Sequence, residues 1–303
     1  MATTRNFTSS YAGDAIRAYI LKALIGGETL STAGINIQTG IKYKRVIKKF
    51  TSADIVQSGG CSFTPAGTLT ISEGVLEPKK IKVNEQICFE DLYNLWDAED
   101  MSDGMNNEDV PQAVVDAMTN EFVGRVAEAV EIQVWQGDLT GATGTYLDLI
   151  DGYEKLLDDG SPATVTLTAI TSANVVTALN AVTAAQPKAI MIKPASSKVI
   201  FTSPAVVEAY QQNLAAQGVN TTADEQAVNF HGMELRQVGG ISANKIVLGM
   251  RDNFYFGTDL MSDYVTLKAL DQRDVDGSEY VNWVLKCKGD VALGWSSEIV
   301  YYS

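Results

Sequence analysis

The sequence predicts an α+β fold. Three observations carry that expectation. Residues 111–136 show an apolar recurrence of helical period, the stretch from Glu234 to Tyr302 is a run of turn-punctuated strands, and residues 42–90 read as a long extended excursion. With 303 residues, 46% apolar and 20% charged, the chain can hold one large domain or two ordinary ones and has the composition of a folded protein.

In chain order, residues 11–25 (YAGDAIRAYILKALI) place Ile16, Tyr19, Ile20 and Ala23 on one helical face, and Gly26-Gly27 stops that helix. Residues 35–50 partly alternate apolar with polar side chains, at Ile35, Ile37, Ile41 and Tyr43, as a half-buried strand does. From Thr51 to Gly74 the chain is rich in Gly, Ser and Thr, and further extended passes follow at Thr68–Ile71 and Lys80–Phe89. Together residues 42–90 predict a long two-stranded excursion. Such a hairpin is marginal in water without a partner surface, and the expected partner is another copy of the chain.

The longest helix is expected at 111–136, where Val114, Met118, Phe122, Val126, Val130 and Val134 recur every four residues. Pro111 suits a first turn, Glu108 and Asp109 suit the positive end, and Gly137 closes the helix, which spans roughly 39 Å at about 1.5 Å per residue. Beyond it helix and strand signals alternate. Ser172 is expected to cap a helix carrying Val175, Val176, Leu179 and Val182, which Pro187 ends. Ala189–Ile192 and Val199–Phe201 read as short strands, and Ser203-Pro204 as a capped start to a helix that Gly218 closes. Strands follow at Glu234–Val238, Lys245–Met250, Phe254–Phe256, Tyr264–Leu270, Tyr280–Lys288 and Glu298–Tyr302.

Charge is unevenly spread. Residues 1–82 hold 11 Lys and Arg against 5 Asp and Glu, a net +6, while the remainder holds 12 against 32, a net −20. A basic arm on an acidic body suits head-to-tail association; a solvated edge strand and a surface facing DNA are the alternatives. The overall charge of −14 disfavours a dedicated nucleic-acid binder. Three well-separated cysteines, Cys61, Cys88 and Cys287, lack metal spacing and an even count, so reduced thiols are expected. No run of about 18 apolar residues predicts a membrane span.

Catalytic signatures are weak. His231 is the one histidine and has no second one to share a zinc site, so a turn or core role is expected. The acidic groups Trp96–Asp100, Glu108-Asp109, Asp158-Asp159 and Asp271 with Asp274 and Asp276 read as solvated loop charges. The last group lacks the downstream glutamate of a calcium loop. Gly59-Gly60 and Gly239-Gly240 open no phosphate-binding helix, and Trp96, Trp135, Trp283 and Trp295 sit in apolar settings that favour core packing.

The order of segments carries a likeness. An arm and a long extended loop precede a helix ending EIQVWQGD (Glu131 to Asp138). Then come LIDGYEKLL (Leu149 to Leu157), VIFTSPAVVEAYQQNL (Val199 to Leu214), FHGMELRQVGGI (Phe230 to Ile241), NFYFGTDL (Asn253 to Leu260) and a terminal strand run. This combination resembles the major capsid proteins of tailed phages with the Hong Kong 97-type fold. The resemblance implies an N-terminal arm (1–41), an extended loop (42–90), a peripheral domain with the spine helix (91–144), an axial domain (145–256) and returning peripheral strands (257–303).

The same resemblance implies a non-enzymatic subunit, without catalytic, cofactor-binding or metal residues. Its copies form pentamers and hexamers of an icosahedral shell around double-stranded DNA, within a virion assembled in the host bacterial cytoplasm. Portal and a separate scaffolding or decoration protein are the implied further partners; because the arm starts almost directly after Met1, a separate scaffolding factor or none is expected. No lysine lies between Lys49 and Lys79, so a non-covalent shell is expected. Lys42, Lys44, Arg45, Lys48, Lys49, Lys79 and Lys80 are the expected inter-subunit contacts. The alternatives are an encapsulin-type nanocompartment, a carboxylate- or metal-dependent hydrolase, and an adhesin or tail component.

Overall fold

The computed structural model describes Thr29 and residues 34–53, 55–59, 61, 65–88, 112–141, 144–166, 168–218, 228–259, 268–272 and 277–303. The expected helix at 11–25 lies outside them. The strands are β1 (Asn36–Gln38), β2 (Arg45–Ala53), β3 (Thr68–Leu76), β4 (Lys79–Cys88), β5 (Ala163–Val165), β6 (Lys198–Thr202), β7 (Val228–Phe230), β8 (Met233–Gln237), β9 (Ile246–Met250), β10 (Phe254–Gly257), β11 (Lys268–Asp271), β12 (Tyr280–Leu293) and β13 (Val300–Tyr302). The helices are α1 (Gln112–Gln136), α2 (Tyr153–Asp158), α3 (Val175–Ala184), α4 (Lys188–Met191) and α5 (Pro204–Ala216).

These strands make three sheets. The first runs β1-β10-β12-β11, with β4 also paired to β12. The second runs β5-β13-β9-β6-β8-β7, and the third is the β2–β3 hairpin alone. The period-2 geometry of a strand explains how the second sheet serves two cores. Val199 and Phe201 of β6, Val247 of β9 and Tyr301 of β13 face a core shared with α1, α2, β10 and β12. Their neighbours Ile200, Ile246, Leu248, Val300 and Tyr302 face a second core built with α3 and α5. Strands covered on both faces read as continuous apolar runs, and every residue of β6 is buried.

Helix α1 forms where the four-residue recurrence predicts it and is about 37 Å long. Val126, Val130, Val134 and Trp135 are buried, and Trp135 packs edge-on against Tyr153 and Phe201 at 5.2 and 5.3 Å between ring centres. The helix ends at Gly137 because the chain crosses itself there. A Cβ on Gly137 would stand 2.4 Å from the Ile150 carbonyl oxygen, and one on Gly240 would stand 2.2 Å from that of Glu131.

Three expectations need correction. Residues 42–90 are not one excursion: β2 and β3 pair with each other, but β4 pairs with β12 over ten positions and belongs to the first sheet. Its alternating Ile81, Val83 and Ile87 join the large core, whereas β2 and β3 reach only a small cluster through Ile47 and Leu76. The second sheet draws β13 from residues 300–302, while β10 pairs into the first. Ala189–Ile192 is no strand. Pro187 starts a helical turn in which Ile190 and Met191 both donate their N–H groups to the Pro187 carbonyl at 2.9 and 3.0 Å. Helix α3 starts after Asn174 rather than at Ser172, and Ser203 precedes Pro204 as expected without its hydroxyl making a cap bond.

Candidate self-assembly surface

The β2–β3 hairpin has two unlike faces. Pairing in register sets Val46 against Val75, Lys48 against Glu73, Phe50 against Ile71 and Ser52 against Leu69 on one face. Much of that face meets solvent: Phe50 and Ile71 are each 60% exposed and Leu69 is 68% exposed. Ile55 and Val56, just beyond β2, are exposed as well. Contiguous apolar surface of this kind marks a binding face.

The opposite face, near the hairpin base, is tied to the body. Leu76 is fully buried with Ile41 and Ala292, and Ile47 packs beside them. Lys49 reaches past this cluster to donate from Nζ to the Leu293 carbonyl at 2.8 Å, with its ammonium 5.9 Å from the Trp295 ring centre. At the turn into β4, the Glu77 N–H donates to Asp290 Oδ2 at 2.6 Å. Burial raises the pKa of the Asp290 carboxyl, and the Glu77 and Val291 N–H groups together with Lys79 partly offset it. The hairpin is therefore held at its root and bare over most of its length.

The basic residues expected to make contacts divide accordingly. Lys42, Lys44, Arg45, Lys48, Lys79 and Lys80 are exposed, and Lys79 pairs with Glu77 at 2.6 Å. Lys49 is occupied within its own chain. Sequence reasoning missed three further lysines. Register places Lys80 opposite Lys288 and Lys82 opposite Lys286 on the outward face of β4 and β12. Like charges directly opposed across a ladder repel. Only Lys288 has a carboxylate to offset this among the described residues, Asp259 Oδ2 at 2.5 Å. Residues 80 and 288 are too far apart in the chain for any sequence window to reveal the block.

On the other side of β4 lies a groove of about 650 Å³ between that strand and α1, lined by Ile81, Val83, Phe122, Val126, Val130 and Leu149. The chain thus carries a projecting apolar face and an apolar trough on different parts of its surface.

Two of the residues weighed for catalysis, His231 and Asp159, take structural positions. His231 and Gly232, at φ 52° and 76°, form the two-residue turn joining β7 and β8. Asp159 pairs with Lys155 at 3.0 Å. Trp96–Asp100, Glu108-Asp109, Asp274 and Asp276 lie outside the described residues. Among the described residues there is no group of three or more side chains able to hold a metal ion, and no helix is long and apolar enough to cross a membrane. Trp135 and Trp283 are buried. Cys287 is buried too, which pushes its thiol pKa up to about 12.

No established family profile matches the sequence, and no curated protein sequence matches it. Solved structures do match over nearly the whole length. A chain of the satellite phage P4 procapsid that includes the size determination (Sid) protein is 12% identical, with 95% of this chain and 98% of that one covered and a TM-score of 0.58. A chain of the cyanophage A-1(L) capsid is 13% identical over 99% of this chain and 95% of that one, with a TM-score of 0.56. A virus-like particle from Pyrococcus furiosus is 12% identical over 95% and 98%, with a TM-score of 0.54. At such identities the likeness is one of fold. The protein has the mixed helix-and-strand fold of capsid shell proteins, and the resemblance read from its residues holds at that level.

Proposed function

We propose that the protein is the shell-forming subunit of a tailed-phage-type capsid with the Hong Kong 97-type fold, closing as pentamers and hexamers around double-stranded DNA. The observation that carries this reading is the β2–β3 hairpin, rooted by Lys49, Leu76 and Asp290 but with its Phe50–Ile71 face open to solvent. In this reading the hairpin is the extended loop, the first sheet with α1 is the peripheral domain, and the second sheet with α3 and α5 is the axial domain.

The mechanism is association. One copy's hairpin lays its apolar face on a neighbour, so a surface too small to form a core alone becomes part of one between two chains. A projection on one side and an acceptor on another make the contact heterologous, the kind that builds rings when its rotation closes. Lys42, Lys44, Arg45, Lys48, Lys79 and Lys80, with the Lys82 and Lys286 added by the fold, steer this contact toward the acidic body of the neighbour. The subunit needs no active site for this role.

Size-exclusion chromatography with negative-stain electron microscopy of the recombinant chain tests the reading. Closed shells, rings or capsomer-sized oligomers are expected. A protein that stays monomeric at high concentration and with scaffold extract overturns it. The likeness to the Pyrococcus furiosus particle supports a second reading, an encapsulin-type compartment loaded with protein. Nuclease-resistant DNA in purified particles favours the first, and a stoichiometric cargo protein favours the second.

A further inference from the structure

Lys198 opens β6, the strand that lies between β8 and β9 in the second sheet, and is only 5% exposed. Its Nζ donates to Gln186 Oε1 at 2.9 Å and more weakly to the Met191 carbonyl at 3.5 Å. The Gln186 amide is oriented for this by its own Nε2, which points to Met233 Sδ at 3.8 Å. Among the described residues no carboxylate pairs with Lys198. The two neutral acceptors bring no charge to offset the partial desolvation of this ammonium, and burial accordingly lowers its pKa from the ordinary lysine value.

The ammonium borders an open recess of about 590 Å³, whose wall includes Asn180, Thr183, Gln186, Lys193 and His231. Among the described residues two lysines and a histidine line it without an aspartate or glutamate, in a chain of net charge −14. Beside its mouth Met191 and Ile192 stand 56% and 85% exposed, adjoining apolar side chains next to a cationic hollow. A free inorganic anion has no use for that apolar rim; a protein surface does.

We propose that this recess is a second self-association site, which takes an aspartate or glutamate side chain of another copy of this chain against Lys198 and Lys193. The proposal rests on the shell reading and deepens it: the contact lies on the second sheet, at a place separate from the hairpin. The donor comes from the acidic remainder of the chain, residues 83–303, whose net charge is −20. The incoming carboxylate accepts from the Lys198 ammonium, while Met191 and Ile192 are covered around it. The residues that build the recess come from α3, α4, β6 and the β7–β8 turn, which only the folded sheet brings together.

The test compares wild type with Lys198→Met and Lys193→Glu, by thermal melting of the dissociated chains and by sedimentation velocity over a concentration series. Lys198→Met removes a desolvated charge at similar length, so its melting temperature should equal or exceed the wild-type value. Its self-association should weaken at least about tenfold. Lys193→Glu, on the exposed rim, should fold normally and weaken association in the same direction. Wild-type association unchanged in both variants overturns the recess and leaves the shell reading standing. A wild type that never associates overturns the shell reading and the recess with it. Inorganic phosphate that raises the melting temperature of dissociated wild type but not of Lys198→Met, with assembly unaffected in the variants, assigns the recess to a free anion and overturns its role between copies.

Discussion

Lys49 on β2 and Leu293 at the end of β12 are joined by a 2.8 Å hydrogen bond across 244 positions of sequence. The bond runs from the root of the projecting hairpin to the strand around which the first sheet is built. It converts a lysine expected to reach a neighbour into the tether that sets the hairpin's angle on its own body. Lys49→Ala should therefore destabilise the dissociated chain by about 1 kcal/mol. It should also speed proteolysis within residues 45–76, measured by limited digestion, with little change in cleavage elsewhere.

The uncovered face makes the opposite expectation. Phe50→Ser and Ile71→Ser should each change the stability of the dissociated chain by no more than about 0.5 kcal/mol, because both side chains already meet solvent. Together they should abolish rings or shells in electron micrographs. Assembly unaffected by the double substitution removes the hairpin from the mechanism.

Trp135 is fully buried between Tyr153 and Phe201, and its indole N–H donates to Thr29 Oγ1 at 2.7 Å. Trp135→Ala should cost about 3–5 kcal/mol in chemical denaturation, as large-to-small changes at aromatic core positions do. This loss should appear in the dissociated chain, which separates it from any effect on assembly.

Asp290 supplies a pH dependence. Burial holds its folded pKa above the ordinary 3.8, so the folded chain prefers the protonated form more than the unfolded chain does. The stability this gives is fully present below pH 3.8 and lost as pH rises through the raised value. Asp290→Asn keeps an oxygen for the Glu77 N–H without a charge to desolvate. The variant should be at least as stable as wild type at pH 7, and the difference should vanish toward pH 3. Thermal melts across that range read it directly.

Thiol labelling reports on fold and assembly at once. Cys61 is exposed next to the hairpin, Cys88 is half-buried at the end of β4, and Cys287 is buried with its pKa pushed up to about 12. In the dissociated chain at pH 8, alkylation should be fast at Cys61, slower at Cys88 and absent at Cys287 until denaturant is added. Assembly should slow labelling of Cys61.

Helix α1 and the strands of the C-terminal half were legible because their signals are local. Val126, Val130 and Val134 recur within one window, Pro204 and Gly218 mark the two ends of α5, and β6 and β9 are short apolar runs that bury on both faces. The extended pairing of β2 with β3 was legible too, from alternation at residues 35–50 and the Gly-, Ser- and Thr-rich stretch after it. Composition also foretold a basic segment on an acidic body.

What the sequence could not decide was pairing. Whether Lys80 and Lys82 lie on a lone loop or beside Lys288 and Lys286 depends on β4 choosing β12 as its neighbour. The apolar alternation of β4 is compatible with either place. The same holds for Lys49, whose ammonium finds Leu293 only after β12 has crossed the sheet, and for Lys198, which reads as an ordinary strand-end lysine until four elements close around it. Local periodicity determines which residues form a strand or a helix, because it depends on neighbours along the chain. Strand partnership and the burial of a single charge depend on contacts far apart in sequence, so only the folded chain decided them.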